Sequence, residues 1–111
     1  MSEAYTVLYS SQAVEDLRNI YSYIAYDLQV PEIAQEQVNR IRNGIRALDY
    51  LPFRYPLVEW EPWHSIEMHH FPVDHFIVFY QIDPNANTVT VIRIFYSGRD
   101  VRYIVTVNNE L

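Results

Sequence analysis

Residues 66–100, IEMHHFPVDHFIVFYQIDPNANTVTVIRIFYSGRD, decide how this chain folds. Two dense apolar runs lie inside the stretch, His75–Ile82 and Thr88–Tyr96. Val, Ile, Phe, Tyr and Thr dominate both, which at this length favours strands over helices. Between them stands Asp83-Pro84-Asn85-Ala86-Asn87, a turn in which Pro sets φ and the Asn residues tolerate left-handed backbone. Neither run alternates cleanly: His75, Ile77, Phe79 and Gln81 share one face, and Phe76, Val78, Tyr80 and Ile82 share the other. A central strand covered on one face and meeting something on the other reads this way. The expectation is an antiparallel hairpin at the heart of a small sheet, with a further strand over 66–71 before it.

The remaining chain has to cover that hairpin. Tyr5–Tyr9 (YTVLY) reads as a short strand, and Ser10 or Ser11 as the N-cap of a helix. Val14, Leu17, Ile20, Tyr21, Ile24 and Leu28 form an amphipathic stripe, so this helix should end near Leu28. Pro31 suits the first turn of a second helix, whose face is marked by Ala34, Val38, Ile41, Ile45 and Leu48 and which stops before Pro52. Gly44 within it costs roughly 1 kcal/mol against Ala, and close packing on the first helix would compensate. So short a join makes an antiparallel helical hairpin. Residues 52–65, PFRYPLVEWEPWHS, form an irregular loop whose Trp pair should lie as a lid on the sheet. The tail 99–111 reads as a short helical turn or an extended end. The class is α+β, in the order β-α-α-β-β-β over a single domain 1–111: a helical hairpin on one face of a mainly antiparallel sheet. Two helices cover one face, so the other is expected to be free as a surface or cleft.

Composition narrows the chemistry. Half of the 111 residues are hydrophobic, which excludes a disordered chain, and two Gly exclude a glycine-rich phosphate loop. There is no Cys, hence no disulfide or thiolate metal site. No apolar run approaches the ~20 residues of a membrane span, and the N-terminus lacks the pattern of a secretory signal; no membrane partner and a cytoplasmic location are expected. Net charge is −6, and all eight basic residues are Arg. Such a chain is a poor generic binder of nucleic acid, although Arg40, Arg42, Arg46 and Arg54 lie close in sequence, as do Arg93, Arg99 and Arg102.

Four His complete the list of reactive groups. His69 and His70 are adjacent, so in a strand they point to opposite faces and do not readily share a metal; there is no HExxH and no GxSxG. No metal and no cofactor are expected. Metal-free cleavage of an RNA phosphodiester needs a base, an acid and a cation, for which His, Tyr and Arg are the available suppliers. Arg93 and Arg99 would be the cations, with Tyr96 and either His69 or His70 from the neighbouring strand as acid and base, His69 being preferred, and Arg54, His70 and Arg102 holding substrate. Residues three apart in a flat strand face opposite ways, so Arg93 and Tyr96 meet only if a bulge or the strand's end re-aims Tyr96. Arg93 as an ion pair and Tyr96 as packing is the other reading.

At this point the chain resembles the RelE/ParE superfamily, the toxins of type II toxin–antitoxin modules, along nearly its whole length. YTVLYSSQAVEDLRNIYSYI looks like the family's first strand and helix, RYPLVEWEPWHS like the loop after the second helix, and VDHFIVFYQID and VTVIRIFYSGRD like its two closing strands. His69 stands where many relatives carry Arg, and Tyr96 where a His is common. The resemblance implies a small toxin neutralised by a cognate antitoxin. It implies either ribosome-dependent mRNA cleavage, with ribosome and mRNA as partners, or non-enzymatic inhibition of DNA gyrase. A detoxified relative that mainly binds its antitoxin is a third possibility.

Overall fold

The structure is a computed structural model and describes residues 4–108. In chain order it forms β1 (Thr6–Tyr9), α1 (Ser11–Ser22) continued by a π-helical turn at Tyr23–Asp27, and α2 (Pro31–Arg46). Then come β2 (His69–Val73), β3 (Phe76–Asp83), β4 (Thr88–Tyr96) and α3 (Val101–Asn108). The four strands make one sheet in the order β1-β4-β3-β2. β1 runs parallel to β4, and the other pairings are antiparallel. A parallel pair requires a crossover, and the helical hairpin supplies it. The α+β class and the central hairpin are as the sequence indicates.

Local chemistry explains most boundaries. The Ser10 hydroxyl accepts the Ala13 N–H at 3.0 Å, an N-cap for α1. Pro31 opens α2, and Ala34, Val38, Ile41, Ile45 and Leu48 are all buried. The first helix does run on to Asp27, but its last turn widens, with Leu28 N–H bonded to Tyr23 O at 3.0 Å. Gln29, at φ 60°, ends it. Two expectations shift. β2 starts at His69, not Ile66, because Glu67 takes a left-handed conformation (φ 56°) that carries the loop into the strand. Gly44 answers to the sheet and not to the first helix: a Cβ there would sit 3.2 Å from both the Phe71 ring and the Val73 side chain.

The sheet is buried on both faces, which corrects the expectation of a free one. On the helical side Phe71, Val78, Tyr80, Val89, Val91 and Ile94 pack against α1 and α2. On the other side Phe79 and Phe95 are covered by Val58, Trp63 and Met68 of the loop and by Val101 and Val105 of α3. The lid is real: Trp63 is fully buried, stacked on Trp60 (5.3 Å) and tilted onto Phe79 (4.8 Å). The tail is a helix over Val101–Asn108 and not an extended end there, and 109–111 lie outside the described residues. Its apolar spacing at 101, 104 and 105 fits both outcomes, and only the Phe79–Phe95 face that needs covering selects the helix.

The short β1 leaves a problem at the edge of β4. β1 pairs only as far as Tyr9↔Val91, so the last residues of β4 would present bare backbone. The start of α1 fills the gap. Ser10 N–H bonds Val91 O (2.9 Å), and its hydroxyl donates to Ile92 O (2.8 Å). The Asp16 carboxylate accepts the Ile94 N–H at 2.8 Å, then binds Arg93 through Nε (2.8 Å) and a terminal nitrogen (3.0 Å). Both side chains are almost buried, at 10% and 13% exposure.

Two stability predictions result. Arg93→Ala strands a buried carboxylate and should cost about 3–5 kcal/mol in urea unfolding, with Arg93→Lys recovering part of it. Trp63→Ala removes the centre of the second core and should cost about 3–5 kcal/mol. A loss below about 1 kcal/mol in either alanine variant would contradict the packing described.

Candidate functional site

Two concavities flank the C-terminal end of β4, and the candidate residues divide between them. A cleft of about 340 Å³ lies between the Trp loop, β2 and the start of α3. His70, Arg99 and Arg102 line it together with Glu59, Asp100 and Ser97. His70 arrives on β2 opposite Phe79, with the two rings 6.2 Å apart, and its N–H bonds Pro56 O at 3.1 Å. Burial holds the His70 imidazole below its usual pKa, Glu59 partly opposes that, and His69 adds to it. Burial therefore favours the neutral ring, which can accept a proton in a cleft that Arg99 and Arg102 also line. Arg99 lies over the Phe95 ring at 5.3 Å, and Asp100 caps α3 by accepting the Tyr103 N–H at 3.1 Å.

The second concavity is a groove of about 720 Å³ between α1 with its π-helical turn and the end of the β3–β4 hairpin. Its walls are mostly apolar, with Ile20, Tyr23, Leu28, Phe76 and Tyr96 prominent and His75 and Arg99 at the rim. Tyr96 is half-exposed here, its ring edge-on to Phe76 at 5.9 Å. Gly98 leaves room for it: a Cβ at 98 would come within 2.5 Å of the Tyr96 ring and oblige that ring to shift. Arg99 is common to both concavities.

The quartet Arg93, Tyr96, His69 and Arg99 does not converge. β4 has its bulge at Ile92, where the register passes from Tyr80↔Val91 to Phe79↔Arg93. That lies before Arg93, so the backbone from Arg93 to Tyr96 is regular and the two side chains stay on opposite faces. Arg93 is tied to Asp16. His69 pairs with Tyr80 on the helical face, is 8% exposed, stacks on the Tyr80 ring at 5.2 Å and bonds Tyr55 O at 2.8 Å. Two strand spacings and five residues of rise separate it from Tyr96, roughly 15 Å or more. Arg54 stays at the surface but folds back on the chain: its guanidinium donates to the carbonyls of Ala47, Tyr50 and Leu51, closing the end of α2. Leu51 lies there in a left-handed conformation, φ 48°.

Sequence reasoning missed Glu59 and counted His75 among the four His without giving it a role; the two reach the concavities from the loop and from the β2–β3 turn. Neither belongs to a motif, and only the fold brings them close. Among the described residues no three His, Asp or Glu side chains gather as a metal site. No helix is long and apolar enough to cross a membrane.

Comparison with known proteins adds an independent line. Among solved structures the chain is similar to the chromosomal ParDE toxin–antitoxin system from P. aeruginosa, at 18% identity and a TM-score of 0.69, covering 84% of this chain and 96% of that one. It is also similar to the toxin–antitoxin complex RelBE2 from Mycobacterium tuberculosis, at 19% identity and a TM-score of 0.60, over 85% and 92% of the two chains. A mutant of the E. coli toxin RelE in the free state matches at 14% identity and a TM-score of 0.61, over 97% and 99%. At such identities these likenesses speak for the fold alone. A search of curated proteins returned no significant match. Residues 7–101 match the model of the ParE toxin of type II toxin–antitoxin systems. That stretch runs from β1 to the first residue of α3, and on it the chain belongs to the ParE toxin family, within the RelE/ParE superfamily.

Proposed function

We propose that this toxin acts by binding a protein target, in the manner of a DNA gyrase inhibitor, and is held inactive by a cognate antitoxin. One observation carries the choice against RNA cleavage: the acid, base and cation set indicated by sequence is dispersed, with His69 buried and Arg93 neutralised by Asp16. The charge of −6 without a single Lys argues the same way, because phosphate contacts need a local positive field. A binding toxin needs only an exposed surface. The groove bounded by Tyr23, Leu28 and Tyr96, each more than half exposed, offers an apolar one. Aromatic anchors of this type carry much of the energy in protein interfaces. The antitoxin reading draws on the family and on the ParDE and RelBE2 assemblies among the similar structures.

A second reading has its own support. His70, whose neutral form burial favours, lines the smaller cleft together with Arg99 and Arg102, so that cleft holds a base and two cations. If RNA is cut, it is cut there, with His70 in the role first given to His69.

Purified toxin should inhibit supercoiling by gyrase while leaving ribosome-bound mRNA intact, and Tyr96→Asp should weaken the inhibition about tenfold or more without loss of fold. Cleavage of ribosome-bound mRNA that is abolished by His70→Gln, with gyrase unaffected, would replace this reading by the second. His70 also sets a pH dependence. Its depressed pKa means that the unfolded chain binds the proton more readily, so His70 reduces stability as pH falls below about 6.5, its ordinary value. His70→Gln should flatten that part of the stability profile.

A further inference from the structure

A third concavity, of about 430 Å³, opens between the two long helices and shares no lining residue with the cleft or the groove. Two helical stripes and one strand residue build it. α1 presents Val14, Leu17, Arg18 and Tyr21, spaced i, i+3, i+4 and i+7, and α2 presents Gln35, Val38 and Arg42, spaced i, i+3 and i+7. Such spacings bring each set to one side of its helix. Because the helices form a hairpin, the pocket has two unlike ends. Tyr9, which leads from β1 into α1, lies with Arg42 at one of them. Tyr21, at the far end of α1, lies towards Gln35 at the other. Seven residues of helix separate Gln35 from Arg42, so the ends are roughly 10 Å apart.

One end is polar and cationic. Arg42 is exposed and, among the described residues, has neither an ion pair nor a hydrogen bond, and the half-buried Tyr9 hydroxyl has no hydrogen-bond partner. Burial raises the Tyr9 pKa, and Arg42 and Arg46 lower it, so two guanidinium groups act on that hydroxyl. Arg18 faces them from α1. Its link to Glu15 spans 3.7 Å between two well-exposed side chains and holds it only loosely. The other end suits a ring. Tyr21 stands there edge-on to Tyr26 at 6.4 Å, and Gln35 gives its amide nitrogen to Asn39 at 3.0 Å, which leaves its amide oxygen to accept. The buried Leu17 and Val38 make an apolar floor between the ends. No carboxylate lines this pocket, whereas Glu59 and Asp100 line the cleft and Asp16 lines the groove. On a chain of net charge −6 that is a local reversal of sign.

We infer that this pocket binds a small organic phosphate of the nucleoside monophosphate class, with the phosphate held by Arg42, Arg18 and the Tyr9 hydroxyl and the ring lying on Leu17 and Val38 towards Tyr21. The planar fork of a guanidinium matches phosphate oxygens two at a time, and the phenol adds a neutral donor. A flat ring gains from the apolar floor and from the neighbouring Tyr edge, and the Gln35 oxygen can accept from an N–H on the ring. A metal ion is disfavoured, because no His, Asp or Glu lines the pocket. A long nucleic acid is disfavoured too: the negative net charge opposes many phosphates at once, whereas a single phosphate meets only the local Arg. Since no lining residue is shared with the groove, the inference stands or falls apart from the gyrase reading.

The experiment is a residue-resolved NMR titration of the full chain with AMP, with adenosine and with inorganic phosphate, each taken separately to millimolar concentration. AMP should shift the amides of Tyr9, Tyr21, Gln35 and Arg42 and leave those of His70 and Tyr96 in place. Adenosine and phosphate should each bind at least tenfold more weakly than AMP. Arg42→Gln should weaken AMP about tenfold, with Arg42→Lys recovering only part of the loss. Tyr9→Phe, which removes the hydroxyl alone, should weaken it about threefold, and the unfolding midpoint of each variant is read alongside. Four results would overturn the inference: no shift with AMP, shifts equally strong with phosphate or adenosine alone, AMP binding that Arg42→Gln leaves unchanged in a folded variant, or shifts confined to His70 and Arg99 in the cleft.

Discussion

Asp16 holds together parts of the chain that are far apart in sequence. One carboxylate caps the backbone of β4 at Ile94, neutralises Arg93, and fixes α1 against the stretch of β4 that β1 is too short to reach. A longer β1 would have made it unnecessary. Because β1 stops at Tyr9, α1 must start at Ser11 and lie along the strand edge, and this sets where the helical hairpin crosses the sheet. The pair is costly to desolvate, but three hydrogen bonds to one carboxylate offset that, and removing either partner leaves the other charge stranded. The same contact decides the functional question for Arg93. A guanidinium held by a carboxylate at two points has little positive field left for a phosphate.

Periodicity and turn chemistry made the elements legible in the sequence. The stripe Ala34, Val38, Ile41, Ile45 and Leu48 is buried in full, and the Asp83–Asn87 turn joins the two strands predicted on either side of it. The second core could not be read that way. Trp63, Met68, Val101 and Val105 come from an irregular loop and a short tail, with no period in common. What unites them is a target, the Phe79–Phe95 face: composition pointed to the Trp lid, but nothing in the tail's spacing placed it beside that lid. Gly44 repeats the lesson on a smaller scale. Its place in a helix was visible, but the neighbour that excludes a side chain there is β2.

The candidate site was half legible, for a similar reason. Alternation correctly separates His69 from His70, and it is His70 that faces the cleft. Choosing between them requires knowing which face the helices take, and that information lies outside the strand. The bulge at Ile92 is likewise invisible, because it depends on the register of β3 against β4 and not on any residue that would signal it. Placed after Arg93, a bulge would have turned Tyr96 to the same face. Placed before it, the two remain apart.

The absence of Lys becomes intelligible once each Arg is located. Arg93 grips Asp16 with two nitrogens, Arg54 closes three carbonyls at the end of α2, and Arg40 ties the β2–β3 turn to α2 through Asp74 at 2.7 Å. Each task asks for several donors fixed in one plane. A guanidinium supplies them, and an ammonium, with its compact and strongly hydrated charge, does so poorly. Three of the eight cations are therefore joints of the fold. Arg42 and Arg102 stand at the other extreme, unpaired among the described residues, one at the pocket between the helices and the other at the cleft.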